Sequence, residues 1–204
     1  IARRLRHRSL NFYLDLAEAA LARKMGNVER TRGLLHLAGK YALGSGSIQE
    51  LSLFRLEFGI TALTEKQFDA ALEALDGALT GFVEAKRKLD IARTLFYLAL
   101  THYRLKLYDQ SLVLLEQALT MLDEVEGDQT LVVAGKDGLD MLEYARGDQR
   151  IRSLVSHLLD RVHLFSEALP TLHRQVRERA TALPFTAPWI AIQGFGDPEV
   201  RIHN

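Results

Sequence analysis

From the start of the chain to about position 181, apolar side chains fall at three- and four-residue spacing, the period of one helix face. Leu10, Leu14, Ala17 and Leu21 form one such stripe. Gly26-Asn27 interrupts it, and a second stripe follows to about Leu43. Gly44-Ser45-Gly46 is the clearest loop. Ser47 with Glu50 fits a capping box, in which the serine hydroxyl accepts an orphan amide while the glutamate reaches back to the cap. The pattern predicts helices at about 2–24, 28–43, 48–64, 67–84, 88–105, 108–124, 129–146, 149–165 and 170–181. Proline is absent before Pro170. Connections this short force neighbouring helices to run antiparallel.

A second regularity lies on top of the first. Ala38, Ala78 and Ala118 recur forty residues apart, as do Leu35, Leu75 and Leu115, and Val28, Phe68 and Tyr108. Ala19, Gly59 and Ala99 form a small set, and Thr31, Ala71 and Ser111 another. A fixed period of this length means stacked units, because one helical hairpin cannot bury its apolar face alone. Small residues repeat where helices cross closely, and large ones repeat where a side chain fills the gap between neighbours. The stretch from Gly127 to Phe165 keeps the pattern poorly, as a terminal unit with one unpartnered face does. Gly135 and Gly138 fall inside a predicted helix, each costing ~1 kcal/mol relative to alanine, so close packing against a neighbour is the expected compensation.

Composition changes this picture little until residue 184. Hydrophobic residues make up 48% of the 204 positions, which supports a packed core and argues against disorder. Twenty-six basic and 26 acidic residues cancel, so no whole-surface attraction to nucleic acid is expected. Basic residues gather at Arg3, Arg4, Arg6 and Arg8 and at Arg174, Arg177 and Arg179, and acidic ones at Asp123, Glu124, Glu126 and Asp128; each run reads as a solvated face. There is no cysteine, which excludes disulfides and thiolate metal sites and is compatible with a cytoplasmic location. No apolar run reaches the ~20 residues of a membrane helix, and no signal peptide is visible.

Past residue 184 the chain carries Pro184, Pro188 and Pro198 with Gly194 and Gly196. Trp189-Ile190-Ala191-Ile192 and Val200-Arg201-Ile202 are strand-like, with turn chemistry at Gly196-Asp197-Pro198-Glu199. The expectation is a helical-repeat domain over 1–181, then a linker and the first strands of a further domain over 182–204. The chain opens at Ile1 without a methionine and closes in a strand-like run, so both ends read as cuts in a longer protein.

The repeats resemble tetratricopeptide-like units of the longer kind found in large bacterial transcriptional regulators. The carriers are Phe58-Gly59, Ala71, Leu75 and Ala78-Leu79, then Leu98-Ala99, Tyr108, Ser111, Leu115 and Ala118-Leu119. The resemblance covers residues 10–125 and weakens to about 165. Two family features are absent. The late helix-terminating proline is missing, and the aromatic midway along the first helix is Ala62 in one unit and His102 in the next. The tail, from Trp189 to Gly196 and from Glu199 to Asn204, resembles the opening strands of a winged-helix DNA-binding domain. The similar proteins are activators of the antibiotic-regulatory type and regulators like the maltose activator. The resemblance implies an all-α superhelix of antiparallel helix pairs beside an output domain whose recognition helix lies beyond Asn204.

Few residues suggest chemistry. The histidines at 7, 36, 102, 157, 163, 173 and 203 lack the one-turn pairing that places two metal ligands on a helix face. The Gly44-Ser45-Gly46-Ser47 loop precedes a helix but lacks the strand and lysine of a phosphate-binding loop. Ser45 is not flanked as a nucleophile elbow. No catalytic residue, cofactor or metal is assigned. The stronger candidate is a groove. In such stacks the first helix of each pair lines the inner side, and the resemblance places Tyr13, Leu16, Ala20 and Arg23 there in the first unit. Leu53, Leu56, Ile60 and Leu63 follow, then Arg93, Phe96, Leu100 and Tyr103, with Tyr97 and Arg104 at the margins. The wall is largely apolar and lacks the family's Lys and Asn clamp for a peptide carboxylate.

An apolar wall suits an amphipathic helix or another protein segment. On this reading Leu56, Ile60, Phe96, Leu100 and Tyr103 stay exposed until a partner covers them, with Phe96 as the anchor. The partner is a peptide, a second copy of the chain or a segment of the output domain, and DNA is reached only through the missing domain. The alternative is ordinary core covered by the chain's own helices. The function expected is a sensory or interaction region of a bacterial transcriptional activator; a scaffold unconnected with transcription is the alternative, and an enzyme is not supported.

Overall fold

A computed structural model describes residues 8–123, 129–182, 189–193 and 199–203. The arginines at 3, 4 and 6, and most of the acidic run near 124, lie outside the described residues. The chain there is all-α but for two short strands. Its helices are α1 (Arg8–Lys24), α2 (Val28–Ser45), α3 (Ile48–Thr64), α4 (Phe68–Glu84), α5 (Lys88–Arg104), α6 (Tyr108–Asp123), α7 (Gln129–Gly135), α8 (Leu139–Ala145) and α9 (Arg152–Ala182). The strands β1 (Trp189–Gln193) and β2 (Glu199–His203) pair antiparallel, with Ile190 opposite Ile202. The described residues fall into two compact units, one up to Val162 and one from His163 on.

The helices end by a device that recurs every twenty residues. Gly26, Gly46, Lys66, Lys86 and Lys106 all adopt positive φ, between 54° and 72°. Four of these turns close with the same two bonds. At Lys66, its amide donates to the Leu63 carbonyl and the Gln67 amide donates to Ala62. Gly26-Asn27, Lys86-Arg87 and Lys106-Leu107 repeat the pair. This is the Schellman arrangement, which satisfies carbonyls that the helix end leaves orphaned. A helix of 17 residues with a three-residue turn is one module, as α3, α4 and α5 each show. Two modules make the forty-residue period.

Within each pair the helices run antiparallel. A Cβ on Gly81, late in α4, would meet Ser52 and Ile48 early in α3. A Cβ on Gly59, late in α3, would lie 2.7 Å from the Leu75 side chain. The small repeats sit where predicted: Ala38, Ala78 and Ala118 are fully buried, as are Leu75, Leu115, Ala71 and Ala99. The set at helix starts behaves otherwise. Val28 and Tyr108 are exposed and Phe68 is half-buried.

Three local expectations are corrected. The predicted helix 129–146 is two seven-residue helices, α7 and α8, parted at residues 136–138. Two glycines within four residues weaken a helix enough for tertiary packing to divide it. Their close approach is as expected: a Cβ on Gly135 would lie 2.6 Å from Val162. Second, α9 continues through Pro170, where a break was predicted. Proline removes one helix bond, and Pro170 is exposed, so water can solvate the freed carbonyl. Third, the capping box is half made. Ser47 Oγ accepts from the Glu50 amide at 3.3 Å, but the Glu50 carboxylate turns to α1 and accepts from Ser9 Oγ at 3.1 Å.

Candidate functional site

The first helices of the three pairs lie in a row, and a charged chain records their order. Glu57 of α3 accepts from Arg23 of α1 at 3.4 Å and from Arg93 of α5 at 2.5 Å. The Arg23 side chain is 7% exposed and that of Glu57 11%, so one carboxylate serves two largely desolvated guanidiniums. Arg93 also lies over the Tyr97 ring, 6.0 Å from its centroid. Burial works against the Arg93 charge, but Glu57, with Tyr97 and Asp90, outweighs it, and the guanidinium is held more basic than usual. Arg23 Nε is buried without a hydrogen-bond partner.

A second acid reaches this face from later in the chain. Asp137, in the turn between α7 and α8, accepts from Tyr97 Oη at 2.9 Å and is ion-paired with Lys24 of α1. Three residues on, Asp140 pairs with Arg104 of α5. Burial, and then the Asp137 charge, push the Tyr97 phenol well above its ordinary pKa. The α7–α8 segment is thus tied by charge to α1 and α5. It also packs tightly, since a Cβ on Gly138 would meet Phe96 at 3.2 Å and Leu100 at 3.3 Å.

This decides the state of the expected groove. Leu16, Leu56, Ile60, Phe96, Tyr97 and Leu100 are buried. The expectation of an apolar wall open to a partner is therefore wrong at its centre. The reason is crowding around α5, where every residue of 94–101 is buried, so no face of the helix is left to solvent there. Leu16 belongs to the core that α1 and α2 share with Ala38 and Ala42, against which Leu53 packs. Leu53, Arg93 and Tyr103 are half-buried, and Tyr13 and Arg104 are exposed. The structure brings Arg93, Tyr97 and Arg104 together with α7–α8.

Glu57, Lys24 and Asp137 were missed. A signal was present: Glu57, Tyr97 and Asp137 stand forty residues apart, polar at a repeated position. Two cavities touch Tyr97. One of about 440 Å³ lies among Ile60, Leu63, Phe68 and Arg104, and one of about 380 Å³ among Arg23, Lys24, Arg93 and Val133. Chemically the arrangement is a network of opposed charges, with Arg23, Lys24 and Arg93 set against Glu57 and Asp137. Among the described residues no helix is long and apolar enough to cross a membrane. No known family model matches this chain, and no curated protein matches it.

Proposed function

We propose that this chain is the sensory or partner-binding region of a bacterial transcriptional activator working in the cytoplasm. Its helix pairs form a tetratricopeptide-like superhelix, the charged surface around Lys24, Tyr97 and Asp137 takes an acidic protein segment or effector, and occupancy controls an attached DNA-binding domain. The observation that carries the reading is Asp137. The chain's own α7–α8 turn delivers an acid onto Lys24 and Tyr97. An incoming acidic group competes for those donors and loosens the segment from α1 and α5. Gly135 at the end of α7 rests against Val162 of α9, so the change has a route into the helix that precedes β1 and β2. The strand-like tail, similar to the opening of a winged-helix domain, is the output end of this scheme.

The coding sequence beyond residue 204 tests the reading. A winged-helix sequence there supports an activator. Further helical repeats or a stop codon would favour a scaffold for protein assembly.

A further inference from the structure

Away from the Tyr97 face, α2 and α3 enclose a cleft of about 640 Å³, a size typical of small-molecule sites. Its floor and one wall are apolar, built from Leu35, Leu43, Phe54, Phe58 and Ala62. Gly39 keeps it open. A Cβ there would lie 2.8 Å from the Phe54 ring, so Phe54 rests on the α2 backbone and leaves the space beside it free. The Phe58 ring follows, 5.9 Å from Phe54 between centroids, and remains 40% exposed.

The other wall is basic. Arg32, His36 and Lys40 stand at successive four-residue steps on α2, which puts them on one face. One acid, Glu65, lines the cleft, and both its oxygens are taken by Arg32, at 3.3 and 2.9 Å. That fork closes one end. Lys40 and His36 line the same cleft as the two phenylalanines, with no further acid among the lining residues.

We propose that this cleft binds a small aromatic organic anion, its ring system against Phe54 and Phe58 and its acid group on Lys40. An aromatic body satisfies the apolar wall, and a negative group satisfies a cation that the protein leaves unmatched. The occupant bridges α2 and α3, the junction of the first helix pair with the second. None of the lining residues belongs to the Tyr97 face, so the site stands whether or not that face takes a partner.

The test uses two fluorescent dyes of nearly the same shape: anilinonaphthalene sulfonate, an anion, and neutral N-phenylnaphthylamine. The sulfonate should bind saturably at one site, more tightly than the neutral dye. Lys40→Glu, at an exposed position that should fold normally, should weaken the sulfonate at least about tenfold and leave the neutral dye within about twofold. Phe58→Ala should weaken both. Arg30→Glu makes the same charge change on the same helix outside the cleft and should alter neither. Non-saturable binding, an equal loss with Arg30→Glu, or a neutral dye that binds as well as the sulfonate would overturn the proposal.

Discussion

Replacing Lys66 with glycine should make the protein more stable, although it deletes a whole side chain. Lys66 sits at the left-handed position of its turn with φ near 60°. A Cβ in that region crowds the following carbonyl and costs ~1–2 kcal/mol. Two terms oppose the gain: glycine's larger unfolded-state entropy, about 0.5 kcal/mol, and the lost attraction of an ammonium for the helix C-terminus, ~0.3 kcal/mol at an exposed site. The balance is about 0.2–1.2 kcal/mol in favour of Lys66→Gly. Lys86 stands at the other end of α4, roughly 25 Å away for a 17-residue helix at 1.5 Å per residue. At that separation the two effects should add, giving about 0.4–2.4 kcal/mol for the double variant.

The reverse change is an internal control. Gly26 has φ of 72° and nothing within 4 Å of where a Cβ would sit. Gly26→Ala therefore tests backbone strain with no steric clash, and should cost ~1 kcal/mol or more. Urea unfolding followed by far-UV circular dichroism reads all four proteins, and midpoints should move while the slope stays constant. A lower midpoint for Lys66→Gly, or no cost for Gly26→Ala, would refute the assigned turns and with them the twenty-residue module.

Phe96 is fully buried, so Phe96→Ala should cost about 3–5 kcal/mol in urea unfolding; a loss below about 1 kcal/mol would restore it as an exposed anchor. Glu57→Gln removes the carboxylate shared by Arg23 and Arg93, and should lower stability by ~3–5 kcal/mol by the same measure. The Tyr97 phenol has its pKa raised in the folded protein, so its contribution is complete below the unfolded phenol pKa of about 10 and is lost as pH rises above it. Tyr97→Phe lacks this loss, and the stability gap between the two proteins should shrink as unfolding is followed from about pH 9 to about pH 11; a constant gap would contradict the buried phenol.

How much of this could be read from the residues alone depended on how local the cause was. The period was legible because Ala38, Ala78 and Ala118 sit at equivalent crossings, which exclude larger side chains wherever they occur. Helix ends were legible at Gly26 and Gly46, where glycine advertises the turn, and at the lysine turns mainly through spacing. The inner face was not. A helix buried on all sides, as α5 is over residues 94–101, has no polar side to mark its direction. The covering of Phe96 by Gly138, and the choice of Glu50 for Ser9 over its own cap, are long-range contacts that no window of neighbours reports. Pro170 misled for a related reason: a proline ends a helix only where the flanking sequence and solvent do not compensate the lost bond.

A stack of equal modules has a difficulty that its apolar residues cannot resolve. With leucine at 35, 75 and 115 and alanine at 38, 78 and 118, one pair can replace another at a neighbour's surface and meet nearly the same shape. Hydrophobic burial is non-directional, so it penalises such a slip weakly. The charged set does not repeat. Along the forty-residue series that contains Glu57, the other members are Ala17, Tyr97 and Asp137. A stack in which α5 took the place of α3 would set Tyr97 beside Arg23 where Glu57 now stands, and would leave that buried guanidinium without its carboxylate. Removing one partner from a buried pair costs several kcal/mol, a larger share of the stability of a domain than most packing differences. Glu57 is the kind of contact that can pin a register, because its two arginine partners distinguish one unit from the next where the repeated apolar positions do not. Asp137 extends the same logic to α7 and α8, short helices tied to the stack where Asp137 accepts from Lys24 and Tyr97.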